Sequence, residues 1–566
     1  MGAEPMKKFI PGIGESDFRI FRESGYSYVD KTSLVSDLIA DPANVHLFPR
    51  PRRFGKTIGL SMLGYFFRKT NKDLSHLSHL FEGLSVWQDD RARKHFQRHP
   101  VISISFKDVK AKTFDEVMGG IYEQIHAAFL EHRSLLDDGH LDDATAADFQ
   151  RLLAREVPRV QLPYAFKWLS NALCKHYGER VVILIDEYDT PVQSGYLYEF
   201  FDDIVLFFRN FFSACLKDNP ALFKGVLTGI LRVSKENMFS GLNHIMVHSI
   251  IDTQYSTAFG FTEDEVAAII DPDRLVEVRN WYNGYMFGGH VIYNPWSILH
   301  FIHQGSLQPY WVNSGSSDLI EYLAAKRGLG LTEKSESLLR GEAIDVPIDS
   351  NIVLRDIDKN DDALWNFLLF SGYLKPVNMT MAMGRYYAKL AIPNQEVKIV
   401  YQQMFRNWLY QAAPERAYVD DLVKAMFSGD AETMQEILEE MFLRVLSYQD
   451  GDGRKPEKLY HGFVLGLLVH LEGAYDVRSN RESGRGRADV LIRPRQTGQP
   501  GVVMEFKVRK PRESTEQALR KAAEQVRDRK YAEEVRVAGA SPVYEYAMVF
   551  DGKQAWVQCV EELLNT

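Results

Sequence analysis

Apolar residues along the first 250 positions follow two rhythms: short strand-like runs, and longer stretches in which they recur every three to four residues. Residues 45–48, 101–106, 181–185 and 222–230 read as strands. The run Val181-Val182-Ile183-Leu184-Ile185 is continuously apolar, as expected of a strand covered on both faces, whereas 101–106 alternates. Segments 114–132 and 198–217 carry helical periodicity. Strands alternating with helices predict an α/β fold with a largely parallel sheet. From about 260 the pattern changes. Residues 262–280 read as helical, 281–299 are aromatic and turn-rich, and 316–450 read as mostly helical, with an amphipathic stretch at 431–447. The run Gly451-Asp452-Gly453-Arg454-Lys455-Pro456 is a turn or linker. After it the pattern predicts helix 457–473, strands 475–482, 487–493 and 502–508, helix 514–535 and strand 543–550, a second α/β unit. The expected domains are 8–255, a lid or winged/helical subdomain at 256–335, a helical connector at 336–450, and 451–566.

A chain of 566 residues exceeds what one hydrophobic core usually supports, in keeping with several domains. Its 45% hydrophobic and 25% charged content is that of an ordinary globular protein. The net charge of -9 argues against a chain that coats nucleic acid along its whole length, but leaves room for a local basic surface. Cys174, Cys215 and Cys559 are far apart and form neither a metal-ligand spacing nor a disulfide framework. No apolar run approaches the roughly 20 residues needed to span a bilayer, and a Pro-Gly turn stands where a signal peptide needs its apolar stretch. A cytoplasmic protein without a membrane partner is the expectation.

Residues 50–57 read Arg-Pro-Arg-Arg-Phe-Gly-Lys-Thr, between the first strand and a helix. A phosphate-binding loop needs a small residue such as Gly55, so that backbone N–H groups can point at phosphate oxygens. It also needs a cation such as Lys56 for the β- and γ-phosphates and a hydroxyl such as Thr57 for Mg²⁺. Arg53, Phe54, Gly55, Lys56 and Thr57 are the expected nucleotide contacts, with Arg50 standing where the strict pattern has its first glycine. The apolar run 181–185 leads directly into Asp186-Glu187, the form of a Walker B motif. In that reading Asp186 belongs to the Mg²⁺ shell and Glu187 orients and deprotonates the attacking water. The competing reading is an acidic turn closing a strand, with Asp189 as a helix N-cap. Two adjacent carboxylates ending a buried strand are costly without a partner cation, which favours the first.

The strings FRESGYSYVDKT, RPRRFGKT, LIDEYDTP and LTGILRVSKENMFSGLNHI resemble the bacterial AAA-ATPase-like family, over roughly residues 8–250. That resemblance implies ATP and Mg²⁺ as cofactors, and a P-loop NTPase fold of the additional-strand, AAA-like type with a parallel sheet, to which the pattern after residue 260 adds a helical lid and connector. It places a polar sensor, matched by Thr228, at the end of a strand between the two motif strands. Arg232 follows it, either as a γ-phosphate contact, in cis or across the boundary of a homo-oligomer, or as a solvated arginine at a helix start. The family's loop itself reads Arg-Pro-Arg-Arg-Phe-Gly-Lys-Ser/Thr, so Arg50 belongs to its pattern.

Near the C-terminus, Arg487-Ala488-Asp489 is followed by Glu505-Phe506-Lys507. On a strand Glu505 and Lys507 share a face, and Asp489 on a neighbouring strand would join them. Two carboxylates can hold Mg²⁺, Glu457 on the preceding helix is a further candidate ligand, and a lysine beside a metal-bound water can position it for attack. The alternative is a structural ion network on an exposed sheet face. The segment resembles the PD-(D/E)XK nuclease superfamily over about 457–560, which implies a restriction-endonuclease-like α/β domain. It also implies Asp489 and Glu505 as metal ligands, Lys507 as the catalytic lysine, and Gln525 as a polar residue facing the site. Residues 476–536 hold 16 Lys/Arg against 10 Asp/Glu, so DNA or RNA is the expected partner. Two functions compete: an ATPase that regulates metal-dependent cleavage of nucleic acid, and a nucleotide-dependent switch or scaffold that binds nucleic acid or protein without cutting.

Overall fold

A computed structural model describes residues 9–69, 75–137, 141–230, 245–312, 333–349, 354–357, 360–412, 416–448, 466, 469–471, 473–479, 490–510, 512–528, 531–551 and 554–565. The chain folds as two compact units, Met1–Leu319 with Ala343–Val397, and Ile320–Glu342 with Lys398–Thr566.

The first unit is built on a parallel sheet of β1 (Val45–Pro49), β2 (Val101–Ser105), β3 (Val181–Asp186), β4 (Leu222–Gly229) and β5 (Ile245–Val247), in the order β2-β3-β4-β1-β5. Every residue of β1 and β3 is buried, as their unbroken apolar runs require. Helix Lys56–Phe67 packs Leu60 and Leu63 against Val182, Leu184 and Val226, and helices Phe114–Glu131 and Ala165–Tyr177 also pack on the sheet. Because β4 lies between β1 and β3, the ends of both motif strands flank it: Phe48 pairs with Thr228, Pro49 with Gly229, and Ile185 with Leu227. The register therefore delivers Asp186 and Thr228 to the same edge of the sheet as the loop that follows β1.

The aromatic segment folds as a small antiparallel sheet of β6 (Phe261–Thr262), β7 (Tyr285–Phe287) and β8 (His290–Tyr293). Gly288 and Gly289, both at positive φ, form its two-residue turn. The segment read as mostly helical between 316 and 450 departs from that expectation. It contains an antiparallel sheet of β9 (Ile344–Ile348), β10 (Lys375–Ala382) and β11 (Arg385–Ala391), in the order β10-β11-β9. Its methionines, alanines and lysines are good helix formers, and β10 buries none of its residues, so the alternation of Val377, Met379 and Met381 with Asn378 and Thr380 marks no buried face and propensity favours a helix.

The second unit carries β12 (Tyr475–Ser479), β13 (Val490–Pro494), β14 (Gly501–Val508), β15 (Val543–Asp551) and β16 (Gln554–Cys559), in sequence order across the sheet. Only the β14–β15 pair is parallel. One face, with Val502, Met504, Tyr546 and Met548, is covered by helices Arg416–Met426 and Ala431–Tyr448. The other, with Val503, Ala547 and Val549, is covered by helices Thr515–Asp528 and Tyr531–Val537. The last strand, β16, has no counterpart in the sequence expectation, and most of the expected helix 457–473 lies outside the described residues.

Candidate nucleotide site and a charged pair in the C-terminal sheet

Gly55 closes the loop after β1 at φ +84, a left-handed conformation that glycine adopts without steric cost, and helix Lys56–Phe67 starts at the next residue. Arg53 and Glu187 share the left-handed region, at φ 66 and φ 50, although both carry Cβ atoms. Strained backbone thus sits at both motifs, where a packed environment over-determines it. Thr57 Oγ1 donates to Asp186 Oδ2 at 2.8 Å, and Thr228 Oγ1 donates to Asp186 Oδ1 at 2.6 Å. The Lys56 ammonium, 3% exposed, donates to the carbonyls of Arg50 and Pro51 at 3.2 Å each and lies 3.3 Å from Glu187 Oε1. Burial, reinforced by the Glu187 carboxylate, raises the Asp186 carboxyl above its ordinary range, while the Thr228 and Thr57 hydroxyls and Lys56 oppose that rise.

One buried carboxylate, two hydroxyls, an ammonium and a second acid are therefore gathered from three separate chain segments. The set suits a magnesium nucleotide. Thr57 and Asp186 offer the oxygen ligands that Mg²⁺ prefers, and Lys56 offers a cation that the loop's own carbonyls and Glu187 hold in place. The Asp189 carboxylate makes no cap on its own helix. It accepts from the Ile230 backbone N–H at 3.1 Å and so ties the turn after β3 to the end of β4. A Cβ on Gly229 would lie 2.4 Å from Asp189 Oδ1, so this close approach requires glycine.

The loop is braced from behind by contacts that the sequence does not reveal. Arg50 is fully buried and donates to the carbonyls of Pro49 (2.9 Å), His248 (2.5 Å) and Tyr255 (3.1 Å), with its guanidinium 5.2 Å from the Phe287 ring. It replaces the strict pattern's glycine with an internal strut. Phe54 is buried against Tyr285 and Phe287, and its carbonyl accepts from Gly260 N–H at 3.0 Å, so only its backbone can face a ligand. The Arg53 guanidinium lies 4.0 Å over the Trp296 ring. The aromatic segment 281–311 is thus the seat of the phosphate loop. The richness of both stretches, one in arginine and the other in aromatics, is the signal that could have paired them. Arg232 lies outside the described residues.

In the second unit Glu505 and Lys507 share the β14 face that meets helix Thr515–Asp528. Glu505 is 1% exposed; Lys507 Nζ donates to Glu505 Oε1 at 2.6 Å and to Gln525 Oε1 at 2.8 Å, so Gln525 does face this pair. Val490, the residue after Asp489, pairs with Met504, the residue before Glu505. Glu457 and Asp489 themselves lie outside the described residues. Part of the basic excess is neutralised internally, since Arg509 pairs with Asp551 and Arg478 and Arg493 pair with Asp476.

Residues 12–239 match the family model described as "Predicted AAA-ATPase", and residues 455–559 match that of the PD-(D/E)XK nuclease superfamily. A protein of Azotobacter chroococcum mcd 1, described as "Uncharacterized protein in vnfD 5'region", is 28% identical over 560 residues, which cover 96% of each chain. Among the described residues no helix is long and apolar enough to cross a membrane.

Proposed function

We propose that this chain, an AAA-ATPase-like region followed by a PD-(D/E)XK nuclease-like region, binds and hydrolyses ATP with Mg²⁺ and thereby regulates metal-dependent cleavage of DNA or RNA. The observation that carries the first half is the convergence of Thr57, Thr228 and Lys56 around Asp186 and Glu187. In this reading Lys56 and the loop amides of Arg53 to Thr57 hold the phosphates, with Lys56 on the β- and γ-phosphates. Thr57 and Asp186 hold the ion, which supplies charge neutralisation to the phosphates when bound. Glu187, on its strained turn, orients a water molecule and takes its proton. Thr228 fixes the Asp186 carboxylate, and Arg232 answers to the γ-phosphate, in cis or from a neighbouring copy.

For the second half, Asp489, Glu505 and Glu457 are the proposed metal ligands. Lys507, steadied by Gln525, holds the attacking water or the developing negative charge. Glu505 supports this reading because a carboxylate buried to 1% exposure beside a lysine is costly unless it has a task. Supercoiled DNA, linear DNA, single strands and RNA, each incubated with Mg²⁺ or Mn²⁺ with and without ATP, test the proposal. Metal-dependent cleavage that responds to ATP and is lost in Asp489→Ala is the expected result. No product from any substrate under either metal contradicts it and favours the non-cutting switch.

A further inference from the structure

Glu396 is a carboxylate in the interior of the first unit, 0% exposed, on the first turn of helix Gln395–Ala412. Its Oε1 accepts from the Trp311 backbone N–H at 2.6 Å and its Oε2 from Ser297 Oγ at 2.9 Å. Each of these donors leads directly to the phosphate loop. The Trp311 indole N–H donates to the Arg52 carbonyl at 3.0 Å, and the Arg52 guanidinium lies 5.9 Å from the Trp311 ring and donates to Tyr373 OH at 3.2 Å. Ser297 lies on helix Pro295–Gln304, whose N-cap Asn294 donates from Nδ2 to the same Arg52 carbonyl at 3.3 Å and whose Trp296 carries the Arg53 guanidinium. One acid therefore anchors both walls that grip the two loop residues before Phe54. Among the described residues no cation pairs with it, an unusual condition for a buried carboxylate and one that a purely structural role does not reward.

We propose that Glu396 is a positioning residue of the phosphate loop, holding Trp311 and helix Pro295–Gln304 so that Arg52 and Arg53 are fixed in the geometry that receives the nucleotide. The inference rests on the reading of that loop as an ATP site. Burial pushes the Glu396 carboxyl up to about 7, against the hydrogen bonds from Trp311 and Ser297. A proton gained near neutrality converts one oxygen from acceptor to donor and reverses the Ser297 bond, which slackens one wall. The Glu396 carboxylate acts electrostatically on the Tyr282 and Tyr285 phenols. Burial raises the Tyr282 and Tyr285 phenols, and it lowers His300, which stacks on Tyr310 beside Ser297's helix.

Binding of Mg-ATP to the full chain, measured by calorimetry between pH 6 and 8, tests this with Glu396→Gln, an isostere of the protonated acid. Wild type should lose affinity about tenfold as pH falls through 7, the worth of one hydrogen bond to a charged group. Glu396→Gln should lack this extra change, keeping only the pH dependence of the nucleotide that both proteins share, and should bind about tenfold more weakly than wild type at pH 8. Should that variant not fold, Trp311→Phe removes the indole donor to Arg52 along with part of the buried ring and is expected to weaken binding about fivefold; unchanged affinity overturns the inference. Absence of Mg-ATP binding by wild type, or binding that survives Lys56→Ala, overturns the nucleotide-site reading instead. Binding that Lys56→Ala removes, but that Glu396→Gln leaves identical to wild type in strength and pH profile, overturns the role of Glu396 alone.

Discussion

Thr228→Val keeps the branched side chain and removes a single hydroxyl, the one that donates to Asp186 Oδ1 over 2.6 Å. Thr228 is fully buried and Asp186 nearly so, so water cannot replace the lost donor. A hydrogen bond to a charged group contributes about 1.5–3 kcal/mol, which puts the expected loss near 2 kcal/mol. A domain of a few hundred residues shifts by roughly 2–4 °C per kcal/mol, so its melting transition should fall by about 4–8 °C. The partner is a carboxylate, and that makes a sharper test available. In an Asp186→Asn background the same substitution should cost less than about 1 kcal/mol, because a neutral amide gains less from the hydroxyl. Scanning calorimetry of the four proteins of the cycle measures this, with the transition that Mg-ATP shifts in wild type identifying the first unit, since a chain with two units need not melt in one step. The reasoning is refuted if Thr228→Val melts with wild type, or if its cost is the same in both backgrounds.

Arg50→Gly restores the strict glycine pattern of the loop but withdraws a buried guanidinium from three backbone carbonyls. It should destabilise the first unit by roughly 3 kcal/mol or more with no gain in nucleotide affinity, and a stable variant that binds ATP more tightly contradicts this. Burial also holds His46, His99, His132 and His248 down at about 4 each, below the roughly 6.5 of the unfolded chain. The folded state thus binds fewer protons, so their stabilisation is complete above pH 6.5 and is lost as pH falls toward 4, by up to about 1.4 kcal/mol per pH unit per group. His46 and His248 lie 3.2 Å apart and titrate as a pair. Urea midpoints between pH 7.5 and 4.5 should fall accordingly, and a flat profile would sink the assignment.

What could be read in the sequence follows from how strongly each segment is buried. The strands expected at 45–48, 101–106, 181–185 and 222–230 stand at Val45–Pro49, Val101–Ser105, Val181–Asp186 and Leu222–Gly229, because a fully covered strand leaves little choice but an apolar run. Thr57 and Asp186 meet as the two motifs imply, and Thr228 joins them where the family resemblance puts a sensor, since a parallel sheet brings the ends of adjacent strands to one edge. The sheet around β10 escaped because its residues are good helix formers and Val377, Met381 and Met383 are exposed, so no buried face imposes a strand. Arg50 matched the family's loop, but its bracing role stayed hidden because its three acceptors are carbonyls, which any residue supplies and no composition reveals. Glu396 carried no signal for a similar reason: its partners lie about 85 and 99 residues earlier in the chain, and one of them is a backbone amide.

The proposed site puts a triphosphate and its ion where the loop after β1 meets the Asp186 carboxylate. Calorimetric titration of Mg-ATP into wild type, Lys56→Ala and Asp186→Asn addresses it most directly. One nucleotide per chain in wild type, no binding in Lys56→Ala, and loss of the magnesium dependence in Asp186→Asn are the results the account predicts. Equal, magnesium-dependent binding by all three proteins would contradict it.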